Sequence, residues 1–156
     1  MKQKNFRLVW LIIAAIMLAF VPKELQAQEE VTEVIGDFTV TKYGGVECSF
    51  DGYILTVKDG TAKVSTSART SNRIALVGTV KLILAGVDIR MDAAPIDVTN
   101  GSNAEIELAE GTKNTLESTS YKFAGIHVDV NSKVTFTGSG ELDVKNTDSY
   151  DGKSSC

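Results

Sequence analysis

The sequence predicts an all-β protein organised as a short parallel β-solenoid, on three observations. From residue 73 onward apolar residues fall at every second position in short runs, the period of a half-buried strand. The runs are broken by Gly, Asn, Asp and Ser, the residues that make turns. Equivalent runs also recur, 22 residues apart from Ile74 to Ile96 and 30 apart from Ile96 to Ile126, a repeat length that one coil of a β-solenoid produces. An antiparallel β-sandwich is the alternative, because it too yields many short alternating strands. Against it, the three segments match one another in register. Between the strand segments, Asn-Gly and Asp-Gly hairpin signals occur only at Asp51-Gly52 and Asp59-Gly60 near the entry and at Asn100-Gly101. No segment after residue 27 sustains the 3.6-residue apolar period of a helix.

The chain begins with a different kind of segment. Lys2, Lys4 and Arg7 precede 14 consecutive apolar residues, Leu8 to Val21, and a small residue follows at Ala27. A positive flank, an apolar run shorter than the ~20 residues that span a bilayer and a small residue at the end describe a secretory signal peptide, residues 1–27. The 156 residues carry 16 basic and 20 acidic groups, a net charge of −4. Removing residues 1–27 takes away four basic groups and one acidic, leaving 12 against 19 and a net charge of −7. With no basic surplus to neutralise phosphates, a nucleic-acid partner is excluded. No later stretch is apolar over enough residues to form a membrane-spanning helix. The expected address is secreted, cell-surface or periplasmic.

Residues 28–72 read as an N-terminal cap region. An acidic start (Glu29 to Asp37) leads to short alternating segments at Phe38–Val40, Tyr53–Val57 and Lys63–Ser65. Residues 73–148 then form three rungs. The first places Ile74, Leu76, Val80, Leu82, Leu84, Val87 and Ile89 inward; the second Ile96, Val98, Ala104, Ile106, Leu108 and Leu116; the third Ile126, Val128, Val130, Val134, Phe136, Leu142 and Val144. One rung cannot bury its apolar faces alone, whereas stacked rungs align them along a shared interior and hydrogen-bond as parallel strands. Ile74, Ile96 and Ile126 are expected in one interior ladder, and Leu82, Ile106 and Phe136 in another. Residues 149–156 are a tail standing where another rung would begin, which suggests truncation. A bare last rung would expose strand edge and favour self-association.

The succession Thr70-Ser71-Asn72-Arg73-Ile74, Val80-Lys81-Leu82-Ile83-Leu84-Ala85-Gly86-Val87-Asp88-Ile89 and Ala94-Pro95-Ile96-Asp97-Val98 resembles a family of secreted bacterial proteins with right-handed parallel β-helix, carbohydrate-binding-like domains. Leu108-Ala109-Glu110-Gly111-Thr112-Lys113-Asn114-Thr115-Leu116, Ala124-Gly125-Ile126-His127-Val128 and Val134-Thr135-Phe136-Thr137-Gly138-Ser139-Gly140-Glu141-Leu142 fit its repeated steps. The resemblance spans about residues 40–147 and is strongest from residue 70. It implies a right-handed parallel β-helix and a non-catalytic polysaccharide-binding role. The steps are structural, so they speak to fold more than to activity.

Candidate site residues follow from what faces outward. A sugar face needs flat aromatic surface beside hydrogen-bonding groups. Tyr121 and Phe123 lie in the loop between the second and third rungs, a place where solenoids carry binding. His127, the one histidine, projects outward between Ile126 and Val128 in column with Ala75 and Asp97, so Tyr121, Phe123, His127 and Asp97 are the candidate carbohydrate contacts. No nucleophile elbow, phosphate loop or dinucleotide fingerprint accompanies them, which argues against an enzyme. Asp88 and Asp143 project outward on corresponding strands two rungs apart and are the candidate Ca²⁺ ligands, since Ca²⁺ takes oxygen donors. Arg73 and Arg90 are too weakly placed to complete a lyase-type centre beside them. Cys48 and Cys156 are compatible with one disulfide in an exported chain. The alternative to a glycan-binding protein is a structural or adhesive surface solenoid with a protein partner, and a polysaccharide lyase-like enzyme comes third.

Overall fold

The computed structural model describes residues 29–147 and contains twelve strands and no helix among them. The expected signal peptide, the tail and Cys156 lie outside the described residues. Strands β1 (Glu30–Ile35) and β2 (Phe38–Tyr43) form an antiparallel hairpin, and β3 (Glu47–Phe50) follows. The long strand β4 (Ile54–Thr66) takes β3 antiparallel along its first half and β2 antiparallel along its second. One edge of β4 is therefore covered along most of its length.

On its other edge β4 pairs with β5 (Arg73–Leu84), and from there the larger sheet becomes parallel. Strands β7 (Ile96–Val98) and β8 (Asn103–Leu108) follow one another end to end along β5; β10 (Ile126–Val128) pairs with β7 and β11 (Lys133–Gly138) with β8. A smaller, wholly parallel sheet is formed by β6 (Asp88–Met91), β9 (Lys113–Ser118) and β12 (Glu141–Asn146). The protein is thus all-β, with a mixed nine-stranded sheet and a three-stranded one sharing a core.

The expected ladders are found in register. Leu55, Ile74, Ile96 and Ile126 are successive partners, as are Ala62, Leu82, Ile106 and Phe136. Ile89, Leu116 and Val144 form the matching ladder of the smaller sheet. Every member down to Ile96, Ile106 and Leu116 is fully buried. The last members differ: Phe136 is 49% exposed and Val144 46%, because no described strand stacks beyond β10, β11 and β12. The expectation of an interior Phe136 is corrected to that extent; the register holds while the burial does not.

A second correction concerns where the stacking begins. Parallel pairing starts at Ile54, not at residue 73, because Asp59-Gly60 is no hairpin turn. It is a β-bulge inside one strand, where the register slips by a residue and Asp59 sits at φ 44°. The Asp59 carboxylate accepts the Thr79 amide at 3.0 Å, which fastens the bulge to the next level.

Buried polar groups tie the levels together. Asn114, fully buried, accepts the amides of Gly86 and Val87 on Oδ1 at 2.9 and 3.0 Å. Its Nδ2 donates to the Glu141 carbonyl at 3.2 Å and to Thr112 Oγ1 at 3.4 Å. All four hydrogen-bonding positions of the amide are used, and they reach the levels before and after its own.

Candidate functional site

The outward column that contains His127 is positioned by the ladders beneath it. Ile96 and Val98 pair with Ile126 and Val128 inside, so Asp97 and His127, alternate on the same strands, must be neighbours outside. Ala75 precedes them in the column. His127 Nδ1 lies 2.8 Å from Asp97 Oδ1, and Arg73 Nη2 donates to Asp97 Oδ2 at 3.2 Å. Both oxygens of Asp97 are thereby engaged, and its side chain is 18% exposed against 47% for His127. Asp97 positions the imidazole, and His127 is the member that meets solvent.

Phe123 meets the His127 ring edge-on, with centroids 6.5 Å apart and planes at 86°. Tyr121 is 70% exposed, with the Lys122 ammonium 5.2 Å from its ring centre. The loop that bears these residues is held at two points. Asn146 Nδ2 on β12 donates to the carbonyls of Ser120 and Phe123, both at 2.8 Å. Gly125 lies where a Cβ would sit 2.8 Å from the Leu116 carbonyl oxygen, so the loop rejoins β10 against the backbone of β9. The result is a shallow outward surface that combines aromatic rings, a cation and a free imidazole edge.

Of the four candidate contacts, the structure joins Phe123, His127 and Asp97 directly and leaves Tyr121 two residues along the same loop. Sequence reasoning missed Arg73, Asn146 and Gly125. Arg73 is the diagonal neighbour of Asp97, since Ala75 is its direct partner, and a diagonal reading of the rung alignment would have found it. Asn146 carried no such signal, because its carbonyl partners belong to a loop of irregular length.

Other outward clusters lack these elements. An open groove of about 440 Å³ crosses β5, β8 and β11, lined by Thr79, Lys81, Asn103, Glu105, Thr135 and Thr137 among others, with no aromatic ring. Lys133 also lines it, and its other two charges, Lys81 and Glu105, pair with each other. Lys81 reaches Glu107 at 2.7 Å and Glu105 at 3.1 Å, so hydrogen bonds to Glu107 and then Glu105 hold the ammonium above its ordinary value. The Lys81 ammonium, and next the Thr137 hydroxyl, hold Glu105 below the usual carboxylate range.

Asp88 and Asp143 do share one outward column, separated by Thr115. Asp88 takes Arg69 at 3.1 Å and Asp143 takes Lys145 at 2.6 Å. Among the described residues no group of three or more His, Cys, Asp or Glu side chains is placed to hold a metal ion. Arg90, set aside with Arg73 at first, pairs with Glu117 at 2.9 Å on the same smaller sheet. Cys48 is half-buried on β3, where burial pushes its thiol up from the ordinary value.

Among known proteins, no curated sequence and no solved structure matches the chain. A family model does, over residues 51–154, which takes in β4 to β12 and leaves β1 to β3 outside. That match covers 104 of the 156 residues, and by it the chain belongs to the family described as carbohydrate-binding domain-containing proteins.

Proposed function

We propose that this chain is a secreted or cell-surface, non-catalytic polysaccharide-binding protein built as a right-handed parallel β-helix, and that sugar packs on the surface formed by Tyr121, Phe123, His127 and Arg73, with Asp97 orienting the last two. The observation that carries the site is the hydrogen-bonded row Arg73, Asp97 and His127 ending against the ring of Phe123. A pyranose offers an apolar face that stacks on aromatic rings and hydroxyls that pair with polar side chains at their rim. The in-register parallel pairing across four levels supports the β-helix reading, and the basic, apolar segment at residues 1–27 supports export.

The test is affinity electrophoresis against soluble neutral and acidic polysaccharides, with and without Ca²⁺. A Ca²⁺ ion bound at the column of Asp88 and Asp143 would have to displace Arg69 and Lys145. Retardation by at least one polysaccharide is expected, and Tyr121→Ala and Phe123→Ala are each expected to weaken it about tenfold, the scale of one lost ring contact. Silence across the panel, or unchanged retardation in both variants, overturns the reading.

A specific observation favours a second role. Val128, Phe136 and Val144 are 44, 49 and 46% exposed along the outer edges of β10, β11 and β12, which pair with no further described strand. Such an edge accepts another strand, so a structural solenoid that associates with itself or with a protein partner fits it. Light scattering at high protein concentration is expected to show association; a monodisperse monomer rules out the self-associating form.

A further inference from the structure

We infer that His127 reads the ligand's charge: within the carbohydrate-binding role proposed above, on which this rests, it accepts a sugar hydroxyl when neutral and donates to a sugar carboxylate when protonated. The geometry fixes which ring nitrogen does this. Asp97 is an acceptor with both oxygens engaged, by Nδ1 of His127 at 2.8 Å and by Arg73 at 3.2 Å. Nδ1 therefore carries the proton in the neutral imidazole, and Nε2 is left as a lone-pair acceptor. No described residue takes Nε2, and the side chain is 47% exposed beside the edge of Phe123.

Protonation converts Nε2 from acceptor to charged donor without moving the ring, because the Nδ1 bond to Asp97 is retained in both states. The hydroxyl of a neutral sugar can pair with either state, donating to one and accepting from the other. A carboxylate can only accept, so it pairs with the protonated state alone and gains a charge-assisted bond there. The charged groups around the imidazole are Asp97 on β7, Arg73 on β5, which is itself bound to Asp97, and Lys122 on the adjoining loop, drawn over Tyr121. Asp129 follows two residues later on the same segment and accepts the Val130 amide. Asp97 is a positioning residue in this arrangement and touches no ligand.

The matched probes are oligogalacturonates in the free-acid and the fully methyl-esterified form, which differ only in the charge at C6. Affinity for each is measured by titration calorimetry between pH 5 and 8, where the galacturonate carboxyl stays ionised and imidazole changes charge. The expected result is an acid-to-ester affinity ratio about tenfold higher at pH 5 than at pH 8, flattened in His127→Gln. Thermal melts check that the variant folds, as expected for an outward position. A ratio that stays flat in the native protein, or one that keeps its slope in His127→Gln, overturns the inference while leaving the binding role standing. Absence of binding to these probes and to every polysaccharide of the wider panel removes both together.

Discussion

Replacing Asn114 by alanine is expected to destabilise the protein by about 3 kcal/mol, a fall of roughly 10 °C in melting temperature for a domain of this size. The size of the effect comes from what is left behind. The amides of Gly86 and Val87 lose their acceptor, and the Glu141 carbonyl loses a donor. Asn114 and Val87 are both buried, so the Val87 amide at least finds no water once its acceptor is gone. An unsatisfied buried donor costs about 1–3 kcal/mol, far more than the net worth of the bond it made. Chemical denaturation of the purified variant measures the change. A loss below about 1 kcal/mol would show that the three levels are not held through this side chain.

Gly138→Ala is expected to cost at least about 2 kcal/mol, with the damage confined to the last level. Gly138 sits at φ +85°, and a Cβ there would overlap the carbonyl oxygen of Leu108, its partner on β8. Backbone cannot rotate out of the way as a side chain can, so β11 must lift from β8. Gly101 supplies the comparison, because it has a similar φ of +78° but open space around it. Gly101→Ala should cost only the conformational strain, about 1 kcal/mol. Hydrogen exchange should then show lost protection along β11 and β12 in Gly138→Ala, and at the β8 amides that face β11, with β4 and β5 protected as before. Uniform loss throughout the chain, or equal costs for the two variants, would contradict the close approach.

The inward ladders were legible because a period of two and a repeat of 22 to 30 residues leave little freedom in how apolar positions align. Ile74, Ile96 and Ile126 pair as the spacing requires. The same alignment put His127 beside Asp97, since what lies inward on two paired strands dictates what lies outward. Legibility failed at two kinds of place. Asp59-Gly60 carries the residues of a hairpin turn yet continues a strand, because a bulge and a turn draw on the same conformations and only the partner strand decides between them. Phe136 has an interior position without an interior, because burial depends on what stacks above it, and alternation says nothing of that. The loop at Tyr121 and Phe123 stood out as a long interruption between rungs, but its attachment through Asn146 is a contact between side chain and distant carbonyl that no period encodes.

The pairing pattern also bears on how the chain finds its fold. Ile54 meets Arg73, Ile74 meets Ile96, Lys81 meets Glu105, Asp88 meets Thr115, Lys113 meets Glu141 and Ile96 meets Ile126, so each parallel partner is found 19 to 30 residues away along the chain. The loop to be closed is nearly the same at every step, and closure entropy grows only with the logarithm of its length. Reach along the chain is therefore set by the spacing between successive levels, not by how many levels there are. Within the hairpin β1–β2 and between β3 and β4 the partners are closer still, Ile35 meeting Phe38 and Phe50 meeting Leu55, which makes the capped end the local template on which the parallel strands can be laid in order.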